Sequence, residues 1–151
     1  MKHMKLIFSC LFFTLLFTAC ETITDKAPRF ETYINHGITA CGVKDPLVNY
    51  AWLGKFIEDN KDSGNNITIY LYANVETGTE NIVIDIYPNR GKEPEVSRYV
   101  CYWIKIYSCS GEQLYINDSG EVDYESWDNF YDSGQNTVKG IIWYRKMVYP
   151  E

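Results

Sequence analysis

Positive charge and histidine are both scarce in this sequence. Its 151 residues include 14 Lys and Arg, 20 Asp and Glu, and two histidines. Beyond the first twenty residues, the densest basic cluster is the single pair Arg145-Lys146. An acidic chain of this kind repels phosphate and releases few counterions from it. We therefore expect no nucleic-acid partner.

Patterns that bind metals are also missing. Five cysteines are present, but none of them forms a Cys-x-x-Cys pair. His36 is the one histidine beyond the first twenty residues, and it cannot complete a Cys/His zinc site of ordinary spacing. We expect neither a metal nor another cofactor.

The sequence lacks an apolar run long enough to cross a membrane. Its first apolar segment, 6–17, falls short of the roughly 20 residues that a helix needs to span hydrocarbon. Basic residues precede this segment, and Thr18-Ala19 follow it directly before Cys20. This order is typical of a secretion signal, and the Thr-Ala-Cys sequence resembles a lipobox, with Phe17 where leucine is usual.

We predict that residues 1–19 are a lipoprotein signal peptide and that Cys20 carries the lipid, as diacyl chains of the palmitate kind. The expected location is the bacterial cell envelope, where the lipid anchors the protein in the outer membrane. The domain could lie on either the periplasmic or the outer side of that membrane. Lys2 and Lys5 leave with the signal, so the formal net charge changes from −6 to −8. Residues 20–44 are polar with little periodicity, and we predict that they form a tether. For residues 45–151 we predict a single α+β domain.

The pattern beyond the tether indicates one helix followed by strands. Asp45-Pro46 is typical of a helix start, and an apolar stripe at Val48, Trp52 and Phe56, with Leu53 and Ile57, predicts an amphipathic helix over 46–60. Alternating segments near 67–75, 81–87, 98–108, 113–117 and 136–146 predict strands. The expected fold is this helix packed on a four- to five-stranded antiparallel sheet. Asp123 could cap a second short helix within 118–135.

The helix also carries a resemblance. Asp45-Pro46-Leu47, then Trp52-Leu53, Lys55 and Ile57, resemble the helix that follows the lipid cysteine in a group of small Bacteroidetes lipoproteins. Ala51 stands where those proteins often have proline, and Gly54 precedes Lys55. The resemblance implies an envelope location and a single domain, and no activity.

Three cysteines remain for a disulfide once Cys10 has left with the signal and Cys20 has been acylated. Cys101 and Cys109 would lie about 26 Å apart on one continuous strand, whereas a disulfide needs Cα atoms within roughly 7 Å. Cys109 is beside a turn and Cys41 just precedes the helix. Of the three pairings we favour Cys41–Cys109.

Aromatic residues are the most informative feature for function. Several, including Tyr87, alternate with the aliphatic residues of their own strands, interleaved with polar residues such as Thr68 and Asp85. Such a face suits a glycan, a peptide or a protein, because amphipathic rings bury area at low entropic cost. The candidate binding residues are Tyr70, Tyr72, Trp103, Tyr107 and Trp143. Alternatively, the rings only pair across strands and the protein is structural.

Catalysis has weaker support. Glu121, Asp123 and Glu125 could serve a carboxylate hydrolase, but nothing in the sequence indicates the cleft that would hold two carboxylates at a fixed separation. The spacing of His36 and Cys41 matches no nucleophile motif. We expect a non-enzymatic, membrane-tethered binding module, with the structural protein and the hydrolase as alternatives.

Overall fold

The computed structural model describes residues 28–88, 103–117, 130 and 134–149. The signal, Cys20, the proposed helix near Asp123 and residues 98–102 of the predicted third strand lie outside this part of the chain. The described elements are β1 (Arg29–Ile34), β2 (Thr39–Ala40), β3 (Val43–Lys44), α1 (Pro46–Asn49), α2 (Ala51–Asn60), β4 (Asn65–Asn74), β5 (Glu80–Pro88), β6 (Trp103–Ser108), β7 (Gln113–Asn117) and β8 (Asn136–Val148).

The architecture is α+β, as the sequence predicts. Six strands form one antiparallel sheet in the order β1-β8-β4-β5-β6-β7, and β2 and β3 form a separate hairpin. The sheet has one or two strands more than expected. No helix among the described residues has the length and apolar character needed to cross a membrane.

The additional strand comes from the segment predicted to be a tether, and that prediction is wrong for residues 29–44. β1 pairs with β8 from Arg29↔Val148 to Ile34↔Trp143. Most of β1 is exposed. An edge strand with one free side tolerates charged and polar residues, which explains why the segment lacks an apolar signature.

The predicted helix is present but broken into two. Tyr50 has an extended backbone (φ −101°, ψ 102°) that separates α1 from α2. Asp45 precedes Pro46 as expected but makes no side-chain cap, and its carboxylate instead lies 2.8 Å from His36 Nδ1. Because of the break, Val48 leaves the predicted stripe and is 69% exposed.

The main core lies between α2 and one face of the sheet, here called the helix-side face. Leu53 is fully buried there, and Trp52, Phe56 and Ile57 pack beside it. The sheet contributes buried residues of three strands, namely Ile67, Ile69, Leu71, Ile82, Ile84, Ile86, Ile142 and Trp143. Burial of these aliphatic side chains is the main force holding the two layers together.

A disulfide between Cys41 and Cys109 joins the β2–β3 hairpin to the turn after β6, with Cα atoms 6.1 Å apart. This is the pairing that the sequence favours. The same turn contacts α2 closely, because Gly111 has φ +86° and a Cβ added there would lie 2.7 Å from the Trp52 ring. Only glycine meets both conditions without strain.

Candidate binding surface

The structure divides the five predicted binding residues between the two faces of the sheet. Tyr70 and Tyr72 lie on the face opposite the helix, against Val83, Ile104 and Ile106. The other three pack against the main core on the helix-side face: Trp103, Tyr107 and Trp143. The prediction that all five share one face is therefore wrong, and these three residues are excluded from the candidate surface.

Strand register explains the error in β6. Trp103 pairs with Ile86 and Tyr107 with Ile82, and cross-strand partners share a face. Both rings therefore lie on the helix-side face. There Tyr107 lies 5.0 Å from the ring of Trp52. The aliphatic residues of β6 consequently face the other way, which the alternation alone does not reveal.

A β-bulge explains the error in β8. Trp143 pairs with Ile69 and Ile141 with Tyr70, so Ile142 is the extra residue between them. A bulge changes which face the residues beyond it occupy. Ile142 and Trp143 are adjacent, yet both are buried in the main core, with Trp143 only 3% exposed.

The face opposite the helix is rich in tyrosine, and we call it the tyrosine face. It contains Tyr33, Tyr70, Tyr72, Tyr87, Tyr115 and Tyr144. Tyr33 stacks on Tyr144 with ring centroids 5.2 Å apart, and Tyr70 meets Tyr72 edge-on at 6.2 Å. Tyr33 was not considered as a binding residue, because its segment was predicted to be a tether. A signal was present, since residues 29–34 alternate in the way that a strand requires.

One end of the tyrosine face is covered. The ring of Phe130 lies 5.6 Å from that of Tyr72, and its carbonyl accepts a hydrogen bond from the Asn136 side chain at 3.0 Å. Phe130 also packs against the buried cluster of Val83, Ile104 and Ile106. At this end, the aromatic residues stabilise a second, smaller core.

The other end of the tyrosine face holds a cavity of about 490 Å³, here called the tyrosine-face cavity. Its lining residues come from β4, β5 and β8: Asn66, Thr68, Tyr70, Tyr87, Pro88, Lys146 and Met147. The side-chain oxygen (Oδ1) of Asn66 accepts a hydrogen bond from the backbone N–H of Met147 at 2.6 Å, which joins the β4 wall to the β8 wall. The volume is within the range of small-molecule sites, about 300–1,000 Å³.

Asp85 lies beside this cavity. It pairs across the strands with Thr68 and is two residues from Tyr87, so all three occupy the tyrosine face. Its Oδ1 atom is buried and has no hydrogen-bond partner among the described residues. Burial disfavours the charged form and raises the pKa of Asp85 to about 6.

Tyr70 responds to the same surroundings. Burial raises the pKa of its hydroxyl, the charge of Asp85 raises it further, and a hydrogen bond with Thr68 opposes both. The phenol therefore stays protonated at neutral pH and can donate a hydrogen bond. Asp85 is therefore a strand neighbour of Thr68 and acts on Tyr70 through its charge, while only Thr68 and Tyr70 line the cavity.

A second cavity, of about 670 Å³, surrounds the disulfide. Its lining includes Cys41, Cys109 and Glu80, and the Glu80 carboxylate accepts a hydrogen bond from the Cys41 backbone N–H. The cysteines are joined to each other, so Cys41 offers no thiol to His36, which pairs with Asp45. Within the described ranges, no group of three or more His, Cys, Asp or Glu side chains could hold a metal. Glu121, Asp123 and Glu125 lie outside the described residues.

Comparison of the chain with protein-family models, with curated proteins and with solved structures found no match.

Proposed function

We propose that the protein is a lipid-anchored binding module of the bacterial cell envelope, non-enzymatic, which takes its ligand in the tyrosine-face cavity. The observation that carries this proposal is the composition of that cavity. Aromatic rings of Tyr70 and Tyr87 line it together with polar groups of Asn66, Thr68 and Lys146. A concave site that combines aromatic area with a few polar groups is the usual form of a ligand pocket.

Anchoring rests on the sequence. Basic residues, an apolar segment and small residues precede Cys20 in the order that lipoprotein processing requires. Two or three acyl chains hold a protein firmly at a membrane, whereas one holds it only marginally. Cys20→Ala should therefore abolish acyl labelling and detergent partitioning. A variant that is still labelled and cut at the same position would contradict the anchor.

A structural role in the envelope is the second candidate, and one contact favours it. Phe130 packs against Tyr72, so part of the tyrosine face contributes to a core. On this account the rings only stabilise the sheet, and substitutions at the cavity would change stability without changing any binding.

The test compares two tyrosines of matched exposure. Tyr87 lines the cavity and is 38% exposed, whereas Tyr33 lies on edge strand β1 and is 41% exposed. Purified full chain and both variants would be sedimented with isolated sacculi, with surface polysaccharide and with outer-membrane proteins reconstituted in vesicles. We expect Tyr87→Ala to lose binding to one fraction and Tyr33→Ala to retain it. Equal binding by both variants, or none by the parent protein, would favour the structural role.

A further inference from the structure

We propose that the tyrosine-face cavity binds a saccharide that carries a negative charge, and that the Lys146 ammonium binds its anionic group. This inference rests on the proposed function and specifies the ligand class of the same site.

The first argument is the charge of the cavity lining. Lys146 is the one charged side chain among the described residues that line it, and no carboxylate is among them. The ion pairs between described residues all join other side chains, although Glu31 is the cross-strand neighbour of Lys146. The ammonium lies 4.8 Å from the centroid of the Tyr144 ring instead. A ring face attracts a cation without cancelling its charge, so an anion in the cavity meets a positive group.

The second argument is the supply of hydrogen-bond donors. Asn66 Oδ1 already accepts a hydrogen bond from Met147, so the donor of that side chain is its amide NH₂. Burial and the charge of Asp85 raise the pKa of Tyr70, whereas the hydrogen bond with Thr68 lowers it. A bond that lowers this pKa is one that the phenol oxygen accepts, so the phenol proton is left to donate. A carboxylate, sulfate or phosphate group accepts hydrogen bonds and matches these donors.

The third argument is the apolar part of the lining and its size. Tyr70, Tyr87 and Pro88 provide ring area, which suits the C–H face of a pyranose. The net charge of −6 repels a long polyanion. A single anionic group is governed by the nearest charges instead, because salt screens exposed charges more than about 8 Å away. The ligand is therefore an acidic sugar or a short acidic oligosaccharide.

Asp85 opposes this ligand and so provides a test of its sign. Asp85 is outside the lining, and its buried Oδ1 contacts no ligand there. Its charge nevertheless acts on Tyr70, so it also repels an anion held beside Tyr70. Asp85→Asn should therefore bind an anionic sugar as tightly as the parent does, or more tightly. A cationic ligand would show the opposite response.

An acidic peptide is a poorer match at this position. β4 is hydrogen-bonded to β8 and β5, and β5 is hydrogen-bonded to β4 and β6. A peptide that binds by adding a strand needs a free sheet edge, because its main-chain hydrogen bonds supply the affinity. The cavity lies over internal strands, so recognition there depends on side chains.

The test titrates short oligosaccharides into the purified full chain in detergent at pH 7.5. The probes are a uronic-acid oligosaccharide, its neutral methyl ester, a sulfated oligosaccharide and a sugar phosphate. We expect at least one anionic probe to bind and the methyl ester to bind about tenfold or more weakly than the free acid if the carboxylate is the ligand group. The three anionic probes distinguish carboxylate, sulfate and phosphate.

The variants test the role of Lys146. Lys146→Gln should weaken binding of the anionic probe about tenfold or more, because it removes a charge-assisted hydrogen bond. Lys139→Gln is the matched control and should bind as the parent does. Both lysines are exposed and lie on β8, but Lys139 is seven residues away, roughly 23 Å at ~3.3 Å per residue.

Each outcome separates the inference from the function beneath it. Binding that Lys146→Gln and Lys139→Gln retain equally, or that Asp85→Asn weakens, would overturn Lys146 and the negative charge. Probes that all fail to bind would overturn the acidic saccharide. The binding function would then survive if Tyr87→Ala still lost an outer-membrane protein in the sedimentation assay, which would indicate a protein ligand. It would fail as well if that assay showed no dependence on Tyr87.

Discussion

Replacing Asp85 with asparagine should stabilise the protein at neutral pH and change its stability little at pH 4. Burial raises the pKa of Asp85 from 3.8 to about 6, so the folded protein holds this proton more tightly than the unfolded chain does. The contribution of Asp85 to stability is therefore fully present below about pH 3.8 and is lost as the pH rises through about 6. Asparagine does not titrate and avoids that loss.

The size of the effect follows from the two pKa values. From these pKa values, the Asp85 side chain lowers the free energy of unfolding by about 3 kcal/mol at pH 7.5 and by about 0.5 kcal/mol at pH 4. Solvent screening of the partly exposed side chain reduces the expected gain at pH 7.5 to about 2 kcal/mol. A gain of that size would raise the melting temperature by several degrees, at about 2–8 °C per kcal/mol for domains of this size range.

Urea unfolding, followed by tryptophan fluorescence at pH 4, 5.5 and 7.5, measures the difference in the free energy of unfolding between the parent and Asp85→Asn. Asp59→Asn is the control, because its exposed pair with Lys55 contributes at most about 1 kcal/mol. A stability difference that does not increase with pH would refute the reasoning, and so would an asparagine variant that is less stable than the parent at pH 7.5. Either result would show that the carboxylate is satisfied within the fold.

Three further predictions concern the core and the disulfide. Trp143→Ala should lose about 3–5 kcal/mol in the same unfolding assay, because the ring is buried; a loss below 1 kcal/mol would place it outside the core. Gly111→Ala should lose about 1–3 kcal/mol from its positive φ alone, and more than Gly78→Ala, which has a similar φ but open space around it; equal losses would disprove the Trp52 contact. Cys41→Ser and Cys109→Ser should each lose about 4 kcal/mol, since the bridge closes a 68-residue separation, and the double variant should lose little more than either one; additive losses would contradict the pairing.

Local sequence signals predicted the element types well where the period was clear. The apolar residues of α2 and the alternation in β4 and β5 lie where their spacing indicates. The break at Tyr50 was missed, because no local pattern indicates the contact that Tyr50 makes there: its hydroxyl donates a hydrogen bond to the Ala40 carbonyl of β2. β1 was missed because its polar residues suit an edge strand, whose identity depends on β8 far along the chain.

The candidate site was predicted only in part. Tyr70 and Tyr72 occupy the expected face, and Tyr87 lines the cavity there. Trp103 and Trp143 were assigned to that face on the assumption that the aliphatic residues of each strand point toward the helix. In β6 they point away from it, and in β8 a bulge at Ile142 places both kinds of residue in the same core.

By itself, the sequence determined the α+β class, the helix stripe, the strand periods and the favoured cysteine pair, because these depend on neighbouring residues or on the reach of the chain. The tertiary structure alone decided which tyrosines share a surface, since alternation states that two faces differ but not which one meets the helix. Strand register and bulges determine which face each side chain occupies, and both arise from pairing between strands that are distant in sequence. The cavity beside Asp85 follows from the same pairing, because its walls come from β4, β5 and β8.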